Sequence, residues 1–299
     1  DCLLSRGLGD VYKRQLWNSG ISKVIIGDLR DPHVFSTLAY FQIDAVVYTV
    51  SLNHTLTENS IEAAIETNVT PMWKLLNTLS KVGLPKFVYL STQQVYGALL
   101  TDIIEDNRDP APNNNYGLTH LMCENICHLF NVKSDTKCIN LRLSNGYGSP
   151  ALKNNHCWSL VINDFCKKAI EEKGISLLSD GTPQRDFIHI RDICRAVEIL
   201  LITKNEKLID SNYNLGNGKT YTIIELAHLV RKFYIKKFGQ EIPIFLVDGS
   251  ISENLKSNKH TKKFQFRINR LNKLGFCPEL TIDQGVHEIF DYLVQENLM

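Results

Sequence analysis

KFVYLSTQQVYG, Lys86 to Gly97, decides the fold. Its first half, KFVYLS (Lys86 to Ser91), is a short apolar run that reads as a strand, and hydroxyl and amide side chains follow at once. A hydroxyl at the carboxyl end of a strand projects into the crevice where doubly wound sheets bind ligands. Outward from this stretch the chain alternates. Upstream, KVIIGD (Lys23 to Asp28) is a β-branched run ended by a glycine, and IDAVVYTV (Ile43 to Val50) is apolar on both faces, as in a covered parallel sheet. Between them and Lys86, Ile61, Ile65, Val69, Trp73, Leu76 and Leu79 recur at helical spacing, which predicts one helix over Glu58 to Leu84. Downstream, a polar stretch with Pro110 and Pro112 leads to a helix from Tyr116 to Phe130, then to the strand CINLRLS (Cys138 to Ser144). Strands separated by helices indicate parallel βαβ units, so the expected class is α/β with a doubly wound parallel sheet.

After Pro150 the rhythm loosens. Helices are expected over Cys157 to Glu171, Ile190 to Leu201, Thr222 to Phe238 and Ile282 to Val294. Strands are expected at ISLLS (Ile175 to Ser179), NYNLG (Asn212 to Gly216) and IPIFLV (Ile242 to Val247). The expected division is a partial dinucleotide-binding domain over 16–150 and a smaller, mainly substrate-binding lobe over 151–299, with 186–216 returning to the first domain. Residues 1–15, DCLLSRGLGDVYKRQ, show no clean helix or strand period and resemble translated adapter sequence. They are set aside as a non-native leader; a native leader is the alternative.

The formal net charge of +1 over 299 residues gives no electrostatic sign of nucleic acid or a membrane surface. One or two placed arginines still bind a phosphate without moving that total. No apolar run approaches the roughly 20 residues of a membrane span. The eight cysteines form no CxxC pair; Cys123 and Cys127 share a helix face, but no second pair completes a metal site. Scattered cysteines read as reduced thiols of a cytoplasmic protein.

Spacing of i, i+4 puts Tyr116 and His120 of YGLTH on one helix face. A phenol beside a hydroxyl suits hydride chemistry at a sugar carbon, one group moving the alcohol proton while the other orients the oxygen. LSTQQVYG, YGLTH, NLRLSNGYGSP, DGTPQRDFIHIRDICRA and NLGNGKTYTIIELA stand in the order and spacing of the extended short-chain dehydrogenase/reductases. Through them the chain resembles the NAD-dependent epimerase/dehydratase family, which includes UDP-glucose 4-epimerase. The likeness covers Lys23 to the C-terminus, more weakly over the last fifty residues.

The resemblance implies a Rossmann-type sheet that binds NAD or NADP and a site that epimerises or reduces a nucleotide-diphosphate sugar. Thr92 matches the family's catalytic Ser/Thr and Tyr116 its catalytic Tyr. Asp28 and Leu29 match the pair at the adenine end of the cofactor. Tyr48, Thr49, Val50 and Ser51 match the strand end along its phosphates and ribose, and Asn68 a helix Asn that shapes the central site. Ser144 falls in the segment lining the nicotinamide pocket, Asn145 matches an Asn near the substrate diphosphate, and Arg185 an arginine that clamps it. A guanidinium fork suits phosphate oxygens. For Arg185 an ion pair with Asp186 or Asp192 is the structural alternative, and for Asp28 a helix N-cap before Pro32. Asn155, His156 and Trp158 suit sugar or base contacts and core packing equally. A homodimer is implied by the resemblance alone.

Two departures stand out. The family motif is Tyr-x-x-x-Lys, and His120 holds the lysine position, where it retains the candidate roles of binding the nicotinamide ribose and assisting Tyr116. A histidine is mostly neutral at pH 7 and exerts a weaker field on the phenol, so an active variant and an impaired or purely binding protein both stand as readings. The Gly-rich pyrophosphate turn is also missing, because Gly7 and Gly9 follow no convincing strand. The chain therefore reads as joining the family near its third strand, with weak cofactor binding and exposed strand edges expected. NAD and NADP stay undistinguished, since the residue that reads the ribose 2′ position ends the missing second strand. Gln93 and Gln94 occupy positions where the dehydratases place acids, and amides do not serve as the acid and base of water elimination. Epimerisation or reduction is favoured over dehydration.

Overall fold

A computed structural model of the chain describes residues 2–5, 23–98, 103–151, 157–252 and 264–295. It divides into two compact units, one comprising residues 1–98, 109–141 and 204–211, the other 99–108, 142–203 and 212–299. The second unit takes the larger share of the chain, where the sequence suggests a smaller lobe. The later segment belonging to the first unit is 204–211, not 186–216.

In the first unit the strand Lys86–Thr92 lies between Val46–Tyr48 and Lys137–Leu143. It pairs in parallel with Val46–Tyr48, Val46 opposite Phe87 and Tyr48 opposite Tyr89. Of its seven residues all but Leu90 are buried, which is the burial expected of a strand covered on both faces. Leu38, Met72, Leu76, Phe87, Tyr89, Cys127 and Phe130 share one apolar cluster against it. The helix Pro32–Leu38 is capped by Asp31, whose side chain accepts the His33 amide, so the cap before Pro32 is Asp31 and not Asp28.

The single helix expected over Glu58 to Leu84 is broken in two places. Ser60 is extended and its hydroxyl caps the next helix by accepting the Ala63 amide, ending His54–Asn59 and starting Ile61–Ala64. A π-helical turn, Ile65–Val69, then precedes Thr70–Leu79. Pro71 has no N–H to give the carbonyl four residues back, so the wider turn falls where that bond is forbidden. Cys2–Ser5, in the stretch set aside as a leader, forms a strand that pairs in parallel with Lys23–Ile26. This pairing corrects the expectation of no strand there; it links chain segments that local periodicity does not compare. Gly7 and Gly9 lie outside the described residues.

In the second unit Gln184–His189 pairs in parallel with Asn145–Tyr147 and antiparallel with Thr220–Thr222. Ile175–Ser176 pairs with Ile244–Phe245, and Ile103–Ile104 with Gln265–Phe266. The helices Val161–Glu171, Ile223–Phe238 and Ile282–Gln295 bury Phe165, Val230, Ile289 and Phe290 in a common cluster. The reciprocal cap of Thr222 and Glu225 opens the second of these helices, and left-handed Gly239 closes it. The α/β class, with a parallel sheet flanked by helices, is the one the alternation indicates.

Candidate active site

The strand Lys86–Thr92 ends at Thr92, which is 8% exposed, and the chain turns at once into a 3-10 turn, Gln93–Tyr96. The Thr92 hydroxyl caps that turn by accepting the Gln94 amide at 3.2 Å. Gln94 then ties the turn to the helix that carries Tyr116: its Oε1 accepts from Asn114 Nδ2 at 3.0 Å, and Asn114 Oδ1 caps the helix by accepting the Gly117 amide at 2.7 Å. The approach is close enough to require two glycines. A Cβ on Gly117 would lie 2.5 Å from the Gln94 carbonyl oxygen, and one on Gly97, at φ +67°, 2.0 Å from the Ala111 oxygen. Strand end and helix start are thereby held as one piece.

Tyr116 is the second residue of the helix Asn115–Lys133. Its amide donates to Glu58 Oε1 at 2.9 Å, a carboxylate at a helix N-terminus, where the dipole favours it. One turn on, the His120 ring lies 4.5 Å from the Tyr116 ring, and the His54 ring lies 5.8 Å from it. His120 is 3% exposed. Its Nδ1 meets Tyr89 Oη at 2.6 Å and its Nε2 meets Ser51 Oγ at 3.2 Å. Burial pushes its pKa down to about 4, so the ring is neutral at pH 7. Burial also raises the Tyr116 phenol, opposed only in part by its hydrogen-bonding contact with Ser51.

Asn68, 1% exposed in the π turn, accepts the Leu52 amide at Oδ1 at 2.8 Å. Its buried Nδ2 has no hydrogen-bond partner among the described residues. The remaining candidates of this unit divide. Ser51 joins the Tyr116 cluster. Thr49 is exposed, Val50 packs at the edge of the core, and Leu29 is a core residue. Tyr48 is a correction: its ring is buried, 5.8 Å from Phe87 and 6.1 Å from Tyr89, so its side chain belongs to the sheet core rather than to an open strand end. The alternation of a strand sends Tyr48 inward when Thr49 points out. Asp28 is held by Arg30, whose Nη2 and Nε reach its carboxylate at 2.5 and 3.0 Å.

In the second unit Ser144 is buried, and Asn145 Nδ2 donates to the Asp186 carbonyl at 2.8 Å. Arg185 is exposed and donates to the Gln184 carbonyl. The ion pairs considered for it are not formed: Asp192 binds Arg195 at 2.7 Å and the amides of Glu279 and Leu280, while Asp186 accepts the Asn217 amide at 2.9 Å. Burial lifts the Asp186 carboxyl to about 7. Trp158 packs beside the core cluster; Asn155 and His156 lie outside the described residues.

Sequence reasoning misses Tyr89, Glu58 and the buried pair in which Ser91 Oγ donates to Glu124 Oε1 at 2.6 Å. The spacing of Glu124, four residues beyond His120 on the same helix face, was the available signal for it. Among the described residues no cluster of three metal-ligating side chains occurs, and no helix is long and apolar enough to cross a membrane.

A family model described as the NAD dependent epimerase/dehydratase family matches residues 8–216. The match begins inside the stretch set aside as a leader, upstream of Lys23, where the likeness was expected to start. The chain is 24% identical over 280 residues to the low-salt glycan biosynthesis protein Agl12 of Haloferax volcanii, covering 92% of this chain and 83% of that protein. It is 25% identical over 232 residues to a UDP-glucose 4-epimerase of Lacticaseibacillus casei, covering 73% and 68%. Among solved structures, MoeE5 in complex with UDP-glucuronic acid and NAD superposes with a TM-score of 0.77 at 18% identity, over 99% of this chain and 91% of that one.

Proposed function

Because this chain belongs to the NAD-dependent epimerase/dehydratase family, we propose that it epimerises or reduces a nucleotide-diphosphate sugar with NAD(P), using Tyr116 as its acid/base group. The observation that carries the proposal is the cluster of Tyr116, His120 and Ser51, set beside the strand end that bears Thr92. A phenol on a rigid helix start, pinned to the strand through Gln94 and Asn114, has the fixed geometry that proton transfer requires.

The cofactor, when bound, takes or gives a hydride at a sugar carbon. Tyr116 Oη takes the hydroxyl proton in the oxidising direction and returns one to the carbonyl oxygen in the reducing direction. Thr92, with one lone pair on the Gln94 amide, keeps its O–H for the sugar oxygen. Asn68 fits a cofactor contact, because its buried amide nitrogen has a donor to spare, and Ser51 and His120 supply further polar groups beside it. Asn145 and Arg185 are the candidates for the substrate diphosphate, an exposed guanidinium being suited to phosphate oxygens. Gln94 is engaged in the turn and both amides lack a titrating proton, which supports epimerisation or reduction over dehydration. The Agl12 and UDP-glucose 4-epimerase likenesses support surface-glycan precursors as the setting.

The neutral His120 favours a second reading, a protein that binds nucleotide sugar or cofactor without turnover. A panel of UDP-, GDP-, dTDP- and CDP-sugars, offered with oxidised and reduced NAD and NADP, separates the two. Product formed by the wild type and lost in Tyr116→Phe selects the enzyme; saturable binding with no product selects the binding protein.

A further inference from the structure

We infer that Tyr89, His120 and Ser51 form a neutral hydrogen-bond chain that takes the place of a cation beside Tyr116 and fits the site to a keto sugar nucleotide, which it reduces, rather than to the corresponding alcohol. The inference rests on the active-site reading above and names the substrate class of that site.

The geometry assigns each proton. Ser51 Oγ donates to the Leu52 carbonyl at 2.8 Å, so toward His120 Nε2, at 3.2 Å, it accepts. In the arrangement inferred, Nε2 carries the ring proton and Nδ1 accepts from Tyr89 O–H at 2.6 Å, with the Cys123 sulfur as the competing acceptor for that hydroxyl. Both ring nitrogens are satisfied with a single proton, and the ring is buried; a second proton would have to displace the Tyr89 donor. Around this chain, Glu58 meets the Tyr116 amide, Glu124 holds Ser91, and Cys123 is a thiol raised by burial to about 12. The His54 ring lies 5.8 Å from the Tyr116 ring, and among these described neighbours none is a lysine or arginine that would hold a permanent positive charge beside the phenol.

A phenol without a cation is an acid before it is a base. Even at its ordinary value of about 10, roughly one phenol in a thousand is ionised at pH 7, and burial makes the fraction smaller. Oxidising an alcohol requires the phenolate at the outset; reducing a ketone starts from the phenol. As hydride from a reduced nicotinamide forms the new C–H bond, the C=O π pair takes the Tyr116 proton and becomes the alcohol. The phenolate left behind accepts Ser51 O–H, turned from the Leu52 carbonyl, while Ser51 Oγ keeps its bond from His120 Nε2–H. Water restores the Tyr116 proton after product leaves. Tyr89 acts through His120 and is a positioning residue.

Histidine-¹⁵N NMR of the wild-type protein at pH 7 reads the tautomer without activity or cofactor. We expect His120 protonated at Nε2 alone, and Tyr89→Phe to mix the tautomers. The ultraviolet difference between wild type and Tyr116→Phe during an alkaline titration reads the phenol. Its midpoint is expected at or above about 10, and His120→Lys should lower it by a unit or more. With substrate, oxidation of an alcohol sugar should rise about tenfold per pH unit from 6 to 8 while ketone reduction stays level. A doubly protonated or Nδ1-protonated His120, a phenol midpoint below about 8, or oxidation independent of pH overturns the inference. Full turnover by Tyr116→Phe would instead overturn the active-site reading, leaving the NMR and titration results as they stand.

Discussion

Gly117→Ala tests whether the start of the Tyr116 helix is held against the strand end as closely as the geometry implies. On an exposed helix this substitution stabilises by about 1 kcal/mol, because alanine loses less backbone freedom than glycine. At position 117 the added Cβ meets the Gln94 carbonyl oxygen at 2.5 Å, the Gln94 carbonyl carbon at 3.0 Å and Pro112 Cβ at 3.1 Å. Two of these atoms are backbone, and the turn that carries them is tied to Asn114 and to Thr92, so a rotamer change gives no relief. Overpacking of this kind costs about 1–3 kcal/mol, and the clash here is with main chain, so the upper half of that range applies. Against the helix gain, a net loss of about 1–2 kcal/mol remains, or about 2–8 °C in the midpoint of thermal unfolding. Differential scanning calorimetry reads that shift. Turnover should fall further than stability, because the movement that relieves the clash displaces Tyr116. A Gly117→Ala protein as stable as the wild type would refute the close approach, and with it the rigid linkage of Tyr116 to Thr92.

Other outcomes follow from the second unit and from its caps. Asp186 is fully buried with its carboxyl raised to about 7. An acid whose folded pKa exceeds its unfolded value is favourable when protonated, so its charge costs stability as pH rises from about 4 to about 7. Urea denaturation of Asp186→Asn should therefore show a smaller loss of stability across that window than the wild type. Asp192→Ala leaves Arg195 and the amides of Glu279 and Leu280 without their buried carboxylate; a loss of about 3 kcal/mol or more is expected in the same assay. Thr222→Ala breaks the reciprocal cap of the helix Ile223–Phe238 and should cost about 1 kcal/mol.

The order of strands and long helices around Lys86–Thr92 was legible because those strands are short apolar runs and those helices present a repeating apolar face. The helix Pro32–Leu38 and the strands Asn145–Tyr147, Gln184–His189 and Thr220–Thr222 were not read from the sequence. The pairing of Tyr116 with His120 was legible too, since four residues on a helix is one turn, and the rings stand 4.5 Å apart. What spacing does not carry is the partner from another element. Tyr89 reaches His120 across thirty-one residues, and only the register of the strand on the helix decides that a phenol faces the ring. The same holds for Cys2–Ser5, whose strand character comes from its pairing with Lys23–Ile26. Tyr48 was misread for a related reason. Position along a strand end was known, but which face each residue takes follows from the pleat, and the pleat turns Tyr48 into the core. The division of the long helix was foreshadowed by Ser60 and Pro71, whose local chemistry outweighs an apolar period that runs straight through them.

The central claim is that Tyr116 moves the proton during hydride chemistry on a nucleotide sugar. Single-turnover mixing of the protein with a reduced nicotinamide deuterated at C4 and a keto sugar nucleotide tests it most directly. The account predicts deuterium on the sugar carbon with the wild type, and a rate lower by about 10²–10⁴ with Tyr116→Phe. Deuterium transfer at the wild-type rate by Tyr116→Phe would contradict it.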